Sequence, residues 1–320
     1  VFPDGYGRVN PAGLAFYDKL VDALLEADIT PFITLYHWDL PLSLHHQGGW
    51  LNPSSPGWFA DFTATLVQSL SDRVKFWMTF NEPQCFIGWG YREGIHAPGL
   101  RLPWQETLQA AHNVLLAHGK GVQAARSVSK QLLSMGIAMV GSPAIPASTR
   151  IDDIQAAKKA MFAVNGQDFW NNSWFGDPIF LKHYPQDGLD IYQNVMPTIS
   201  QDDFDVIGQP LDFLGVNIYR GSVVQATQED DYQIVDLPSG HDRNTMGWAI
   251  TAEATYWGPK FLTERYNVPL YITENGIANT DWIARDGKVH DPQRIDFTAA
   301  YLDALRRAST EGVDIRGYFH

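Results

Sequence analysis

The sequence predicts an α/β fold, a (β/α)8 TIM barrel of which this chain of 320 residues carries about six strands. Three observations point there. Stretches with helical spacing alternate with short, nearly continuous apolar runs, the pattern of parallel strands covered by helices. Polar residues gather just past those runs, at Tyr36-His37-Trp38-Asp39, Asn81-Glu82, Asn217 with Tyr219, and Glu274-Asn275, where such a barrel places its chemistry. No linker, low-complexity tract or internal repeat interrupts the alternation, so residues 1–320 read as a single barrel domain.

The elements follow in order. Asn10-Pro11 pairs a cap residue with a proline suited to the first helical position, and Leu14, Tyr17, Leu20, Leu24 and Leu25 recur behind it as one apolar face. A strand is expected over Pro31 to Tyr36. Helical spacing at Trp58, Phe62, Leu66 and Leu70 precedes a strand from Val74 to Phe80, and a long helix from Gln105 to Ser127 precedes one from Gly136 to Gly141. A helical region from Asp152 to Asn172 and irregular segments lead to a strand from Leu211 to Tyr219. A helix from Ala252 to Tyr266 precedes Val268 to Thr273. Finally Asp291-Pro292 opens a helix whose inner side is expected to carry Ile295, Thr298, Ala299, Leu302 and Leu305, before a strand from Val313 to Phe319.

Composition narrows the function classes. A net charge of −13 without a cluster of Lys and Arg argues against nucleic acid, since phosphate binding draws its free energy from counterions released by clustered cations. No uninterrupted apolar run of about 18 residues is present, which argues against a membrane span. The single cysteine, Cys85, rules out an intrachain disulfide and suits a reducing compartment, so a cytoplasmic location is expected. The ten histidines show no ligand-like clustering: His45-His46 is an adjacent pair, and His112 and His118 are not spaced for one helical face. With no phosphate-cradling glycine loop before a helix, neither metal nor cofactor is expected. The 11 tryptophans suit a ring-filled core as well as a sugar-stacking site.

Glu82 and Glu274 each end an apolar run, in Thr79-Phe80-Asn81-Glu82-Pro83 and Ile272-Thr273-Glu274-Asn275-Gly276. Read singly, either is a solvated loop carboxylate, or for Glu82 a charge at a helix start. Read together, two carboxylates at strand ends are what glycosidic bond cleavage requires: a proton donor and a partner.

The motifs carry a resemblance. Thr34-Leu35-Tyr36-His37-Trp38-Asp39-Leu40-Pro41, Gly48-Gly49-Trp50, Thr79-Phe80-Asn81-Glu82-Pro83, Gly215-Val216-Asn217-Ile218-Tyr219, Met246-Gly247-Trp248 and Ile272-Thr273-Glu274-Asn275-Gly276 resemble, in the same order, those of glycoside hydrolase family one, the retaining β-glucosidases and β-galactosidases. The resemblance implies that Glu82 is the general acid/base and Glu274 the nucleophile, forming a covalent glycosyl-enzyme. It assigns His37 and Trp38 to sugar hydroxyls and Asn81 to the 2-hydroxyl, places Asn217 and Tyr219 in the substrate-binding site as well, and sets Tyr219 to orient the nucleophile. It also implies two further strands before Val1 and a sugar-binding loop after His320, so the domain is expected to be incomplete at both ends.

The expected reaction is hydrolysis of terminal β-D-glucosyl residues, with galactosyl and fucosyl residues as alternatives, from a small β-glycoside or oligosaccharide. A 6-phospho-β-glucosidase and a non-catalytic sugar-binding barrel fragment stand beside it, and oligomeric state is left open.

Overall fold

Asn10 caps the first helix as its type predicts: its side-chain oxygen accepts the Ala12 amide at 3.1 Å, with Pro11 at the first helical position. The computed structural model describes residues 1–228 and 231–320. The chain runs α1 (Pro11–Glu26), β1 (Phe32–Tyr36), α2 (Leu42–His45), α3 (Ser55–Leu70), β2 (Phe76–Asn81), α4 (Pro83–Ile87), α5 (Trp104–Val128), β3 (Ser134–Val140) and β4 (Ala144–Pro146). It continues with α6 (Ile151–Phe162), α7 (Ser173–Phe180), α8 (Gln186–Tyr192), α9 (Gln201–Ile207), β5 (Phe213–Asn217), β6 (Ser222–Gln225), β7 (Gln233–Ile234), α10 (Ala254–Tyr266), β8 (Leu270–Glu274), α11 (Pro292–Thr310) and β9 (Ile315–Tyr318). Six strands form one sheet in the order β1-β2-β3-β5-β8-β9, and β4, β6 and β7 form a small second one.

Two compact units are distinguished. The first comprises Val1–Met139, Val164–Phe169 and Ser173–Leu214; the second comprises Val140–Ala163, Trp170–Asn172 and Gly215–His320.

In the first unit β1 and β2 pair in parallel, with Phe32 opposite Phe76 and Tyr36 opposite Phe80. The Phe32 and Phe76 rings stack at 4.2 Å. Between β2 and β3 the register slips: Met78 faces Gly136, but Asn81 faces Ala138. The extra residue on β2 is a bulge that bends the strand just before Glu82, and bulges re-aim side chains in this way next to active sites. Gly136 has to be glycine, because a Cβ there would lie 2.4 Å from the Phe213 ring. From α3, Phe59, Leu66, Val67 and Leu70 are buried, and from α5 Leu108, Ala111, Val114, Leu115 and Val122. Gly119 lets α5 meet the Val206 backbone, where a Cβ would come within 1.9 Å of the carbonyl oxygen.

In the second unit the Gly141 amide donates to the Asn217 carbonyl and the Ile218 amide to the Glu274 carbonyl, which extends the pairing past the end of β5. β8 and β9 run parallel, with Leu270 opposite Ile315. α10 and α11 bury Phe261, Leu262, Phe297, Tyr301, Ala304 and Leu305.

Four sequence expectations change. On α11 the buried face is Phe297, Tyr301, Ala304, Leu305 and Ala308, whereas Ile295 is 67% exposed and Leu302 is exposed too. Two faces of this helix carry apolar residues, and packing chose the one bearing rings. Asp291 does not cap that helix with its side chain; its carboxylate instead accepts from Arg294 Nε at 3.2 Å. On α1, Tyr17, Leu20 and Leu25 are exposed and Val21 is buried. That helix rests on a narrow line, and Arg73 further pins it by pairing with Asp18 and Asp22. Helix is also absent over 163–172, where α6 has ended at Phe162.

Candidate active site

β1 and β2 of the first unit deliver four of the expected residues. Trp38 turns the chain out of β1 with a positive φ of 78°, an uncommon conformation for a bulky residue. Its indole N–H donates to the Asn81 carbonyl at 2.9 Å, so the tip of β1 is tied to the tip of β2. Asn81 Nδ2 also lies 3.4 Å from His37 Nε2. Glu82 follows at φ 48°, in the left-handed region, with its own amide donating to Ala138 O at 2.8 Å. Its side chain does not cap α4. Instead the Cys85 thiol donates to Glu82 Oε2 at 3.2 Å, and both residues are buried. A left-handed non-glycine residue persists only where its surroundings over-determine it. Here the bulge, the β-ladder bond and the helix beginning at Pro83 hold it.

Rings brace this strand end. Phe80 is fully buried among Tyr36, Trp50, Phe59 and Phe86, with centroids 4.4 to 6.0 Å away. Trp50 donates its indole N–H to the Tyr36 hydroxyl at 3.3 Å, and its carbonyl accepts from Asn113 at 2.8 Å. Trp50 is therefore a buttress. Partly exposed rings continue outward from Trp38, to His96 at 5.4 Å and from His96 to Trp89 at 4.9 Å. A cavity of about 340 Å³ beside β1 is lined by Phe2, Leu35, His37, Asp39, Trp58 and Phe62 among others. Trp38, Asn81 and Glu82 are not part of its wall.

The end of β5 and β8, both in the second unit, deliver the others. The Tyr219 hydroxyl donates to Glu274 Oε2 at 2.5 Å, the short end of charge-assisted bonds. Thr273 Oγ1 donates to Asn217 Oδ1 at 2.6 Å, which fixes the orientation of that amide. Asn275 Nδ2 donates to the Ile218 carbonyl at 2.7 Å, while Asn275 Oδ1 accepts from the Tyr318 hydroxyl at 2.7 Å. Glu274 is thus held on its carboxylate and, through its neighbours, on both sides of its backbone. The Trp248 ring lies 5.8 Å from that of Tyr219, with the Arg220 guanidinium 5.2 Å from the indole.

The model of "Glycosyl hydrolase family 1" matches residues 1–320. A 1,4-beta-D-glucan glucohydrolase of Thermotoga neapolitana is 39% identical over 320 residues, which is all of this chain and 73% of that one. The chain belongs to glycosyl hydrolase family 1. A bifunctional beta-D-glucosidase/beta-D-fucosidase of Bifidobacterium breve is 33% identical across all of this chain and 72% of its own length. Among solved structures, a family 1 β-glucosidase from Thermotoga maritima in complex with isofagomine lactam superposes with a TM-score of 0.86 at 38% identity, covering 99% of this chain and 70% of that one. The family 1 chain is accordingly a glycoside hydrolase, and its six-stranded sheet is part of the family's (β/α)8 barrel fold. Among the described residues no helix is long and apolar enough to cross a membrane.

Sequence reasoning gave no role to Thr273, Asn275, Tyr318 or Trp248. Asn275 could have been found by its place beside Glu274; Tyr318 carries no such signal, because only strand pairing brings β9 to β8. His112 and His118, which show no ligand-like spacing in the sequence, are both buried. His112 lies between the Tyr184 hydroxyl at 3.0 Å and Asp203 Oδ2 at 3.3 Å. His118 Nδ1 sits 2.7 Å from Thr79 Oγ1, two residues before Asn81, and His118 Nε2 has no hydrogen-bond partner among the described residues.

This has a pH consequence for the family 1 protein. Complete burial lowers the His118 pKa from 6.5 to about 3. Below pH 6.5 the unfolded chain takes up a proton that the native state refuses, so this stability is present above the unfolded value and is lost as pH falls. The loss is about 1.4 kcal/mol per pH unit from that one group until the pH nears the folded value. Urea unfolding between pH 7 and 4 is expected to show a shallower acid decline in His118→Asn than in the wild type, by about one proton. Parallel curves would remove His118 from the acid response.

Proposed function

We propose that Glu274 is the nucleophile and Glu82 the general acid/base of a retaining hydrolase that cleaves terminal β-D-glucosyl residues, acting as a single catalytic domain. A carboxylate oxygen of Glu274 attacks the anomeric carbon while the bond to the leaving oxygen breaks, and Glu82 gives its proton to that oxygen. In the second step Glu82 takes a proton from water, the water oxygen bonds to the anomeric carbon, and the Glu274 carboxylate is released. Retention requires the two carboxyl groups to stand about 5 to 5.5 Å apart.

The observation that carries this reading is the 2.5 Å bond from Tyr219 to Glu274 Oε2. A phenol that fixes one carboxylate oxygen leaves the other aimed as the attacking atom. Glu82, by contrast, receives a weaker thiol donor at 3.2 Å, which suits a group that must carry and surrender a proton. His37 and Trp38 take sugar hydroxyls, with Asn217 nearby in role, and Asn81 takes the 2-hydroxyl, where a bond that strengthens toward the transition state lowers the barrier. The glucosyl preference follows the named activities of the relatives. Sugar-like inhibitors bound to the solved neighbours support a small β-glycoside substrate.

Proton NMR of a freshly started hydrolysis of aryl β-D-glucoside is the test. The first-formed glucose is expected to be the β anomer; α-glucose appearing first would rule out the double displacement. A parallel assay with the 6-phosphorylated glucoside is expected to give the lower kcat/KM.

A further inference from the structure

The bond from Tyr219 to Glu274 is only as good as the backbone that carries Tyr219, and that backbone is gripped by a helix remote from the strand ends. Tyr301 lies in the middle of α11, fully buried, with its ring stacked on Phe297 at 4.0 Å. Ile277 belongs to the same cluster, and Ile250 and Ala252 pack against it. The Tyr301 hydroxyl donates to the Tyr219 carbonyl at 3.0 Å and accepts the Thr251 amide at 2.9 Å. Thr251 Oγ1 in turn accepts the Gly221 amide at 2.8 Å. The turn after β5 is therefore pinned at Tyr219 O and at Gly221 N, and the two pins are joined to each other by the bond from Thr251 N–H to Tyr301. On the near side, the Ile218 amide is bonded to Glu274 O at 2.9 Å. The helix itself is held in register by Thr255 Oγ1, which donates to the Tyr301 carbonyl at 2.8 Å.

We infer that Tyr301, acting with Thr251, is a positioning residue for the nucleophile: it fixes the backbone of Tyr219 so that the phenol reaches Glu274 at bonding distance. This rests on the assignment of Glu274 as the nucleophile. The physical reason is the steepness of a short hydrogen bond. A bond of 2.5 Å tolerates little displacement, and a shift of an ångström in a catalytic geometry costs about 10²-fold in rate. Removing the Tyr301 hydroxyl leaves a half-buried carbonyl and a buried amide without that shared partner. The turn then loses the pin that fixes Tyr219 and is free to shift.

The test is the rate of covalent trapping by 2,4-dinitrophenyl 2-deoxy-2-fluoro-β-D-glucoside. In that step a Glu274 oxygen bonds to the anomeric carbon and dinitrophenolate leaves without needing a proton, so the nucleophile alone is read. For Tyr301→Phe the first-order trapping constant is expected to fall about 10-fold while the dissociation constant stays within about twofold. Tyr219→Phe is expected to fall further, and the double variant to match Tyr219→Phe alone, because a residue that acts only through Tyr219 has nothing left to position. Thr251→Val, which keeps the Tyr301 bond but removes the Gly221 acceptor, is expected to slow trapping in the same sense and serves if Tyr301→Phe does not fold. Peptide mapping of the wild-type adduct separates the two ideas. A label on Glu274 with wild-type trapping rates in the folded variants, or losses that multiply in the double variant, overturns the positioning role alone. A label elsewhere overturns the nucleophile assignment and this inference with it.

Discussion

Glu274→Ala is expected to lower kcat/KM for an aryl β-D-glucoside on the order of 10⁵-fold, and added azide is expected to restore part of the loss. The magnitude follows from losing the covalent route altogether, since no other group then opens the first of the two steps. The vacated carboxylate leaves room for a small anion on the face opposite the leaving group. Azide attacking from there inverts the anomeric carbon, so the product is α-glucosyl azide. Detecting that product by NMR, with the fold intact by circular dichroism, assigns the attacking face to Glu274. Unchanged hydrolysis, or β-glucosyl azide as the product, would exclude it.

Glu82→Ala should fail differently. For a substrate with a poor leaving group, such as an alkyl glucoside, the loss is expected to be about 10² to 10⁴-fold, the range supplied by a positioned proton donor. With 2,4-dinitrophenyl β-D-glucoside the first step needs no proton, so a burst of dinitrophenolate is expected, followed by slow turnover as the glycosyl-enzyme waits for unassisted water. Azide then attacks that intermediate from the leaving-group side and gives β-glucosyl azide. Opposite azide anomers from the two variants would distinguish the carboxylates by chemistry. Equal losses on both substrates would deny Glu82 the acid role.

Much of the candidate site was legible because strand-end chemistry is written locally. In Thr79-Phe80-Asn81-Glu82-Pro83 the apolar run, its abrupt end and the proline suited to a first helical position place Glu82 between β2 and α4 without knowledge of any neighbour. Ile272-Thr273-Glu274 does the same for β8. Trp50 was ambiguous, since a tryptophan in a motif serves a sugar or a core equally well by type; burial beside Tyr36 and Phe80 decided it. The α11 face was misread because Ile295 and Leu302 outweigh a tyrosine in any apolar count, yet both are exposed and Tyr301 is inside. A phenol that bonds a half-buried carbonyl and a buried amide at once has a reason to be inside that hydropathy does not register.

The sequence by itself determined the alternation of strands and helices, the cap at Asn10, and the residue types waiting at the ends of β1, β2, β5 and β8, all of which follow from short-range pattern and steric preference. Tertiary structure alone decided the register slip that bends β2 before Glu82, the 2.5 Å length of the bond by which Tyr219 orients Glu274, and the grip of α11 on the turn that carries Tyr219. Each of these joins residues far apart in the chain, Tyr219 and Tyr301 for instance by 82 positions. A hydrogen bond depends on distance and angle to within fractions of an ångström, and no local pattern encodes that.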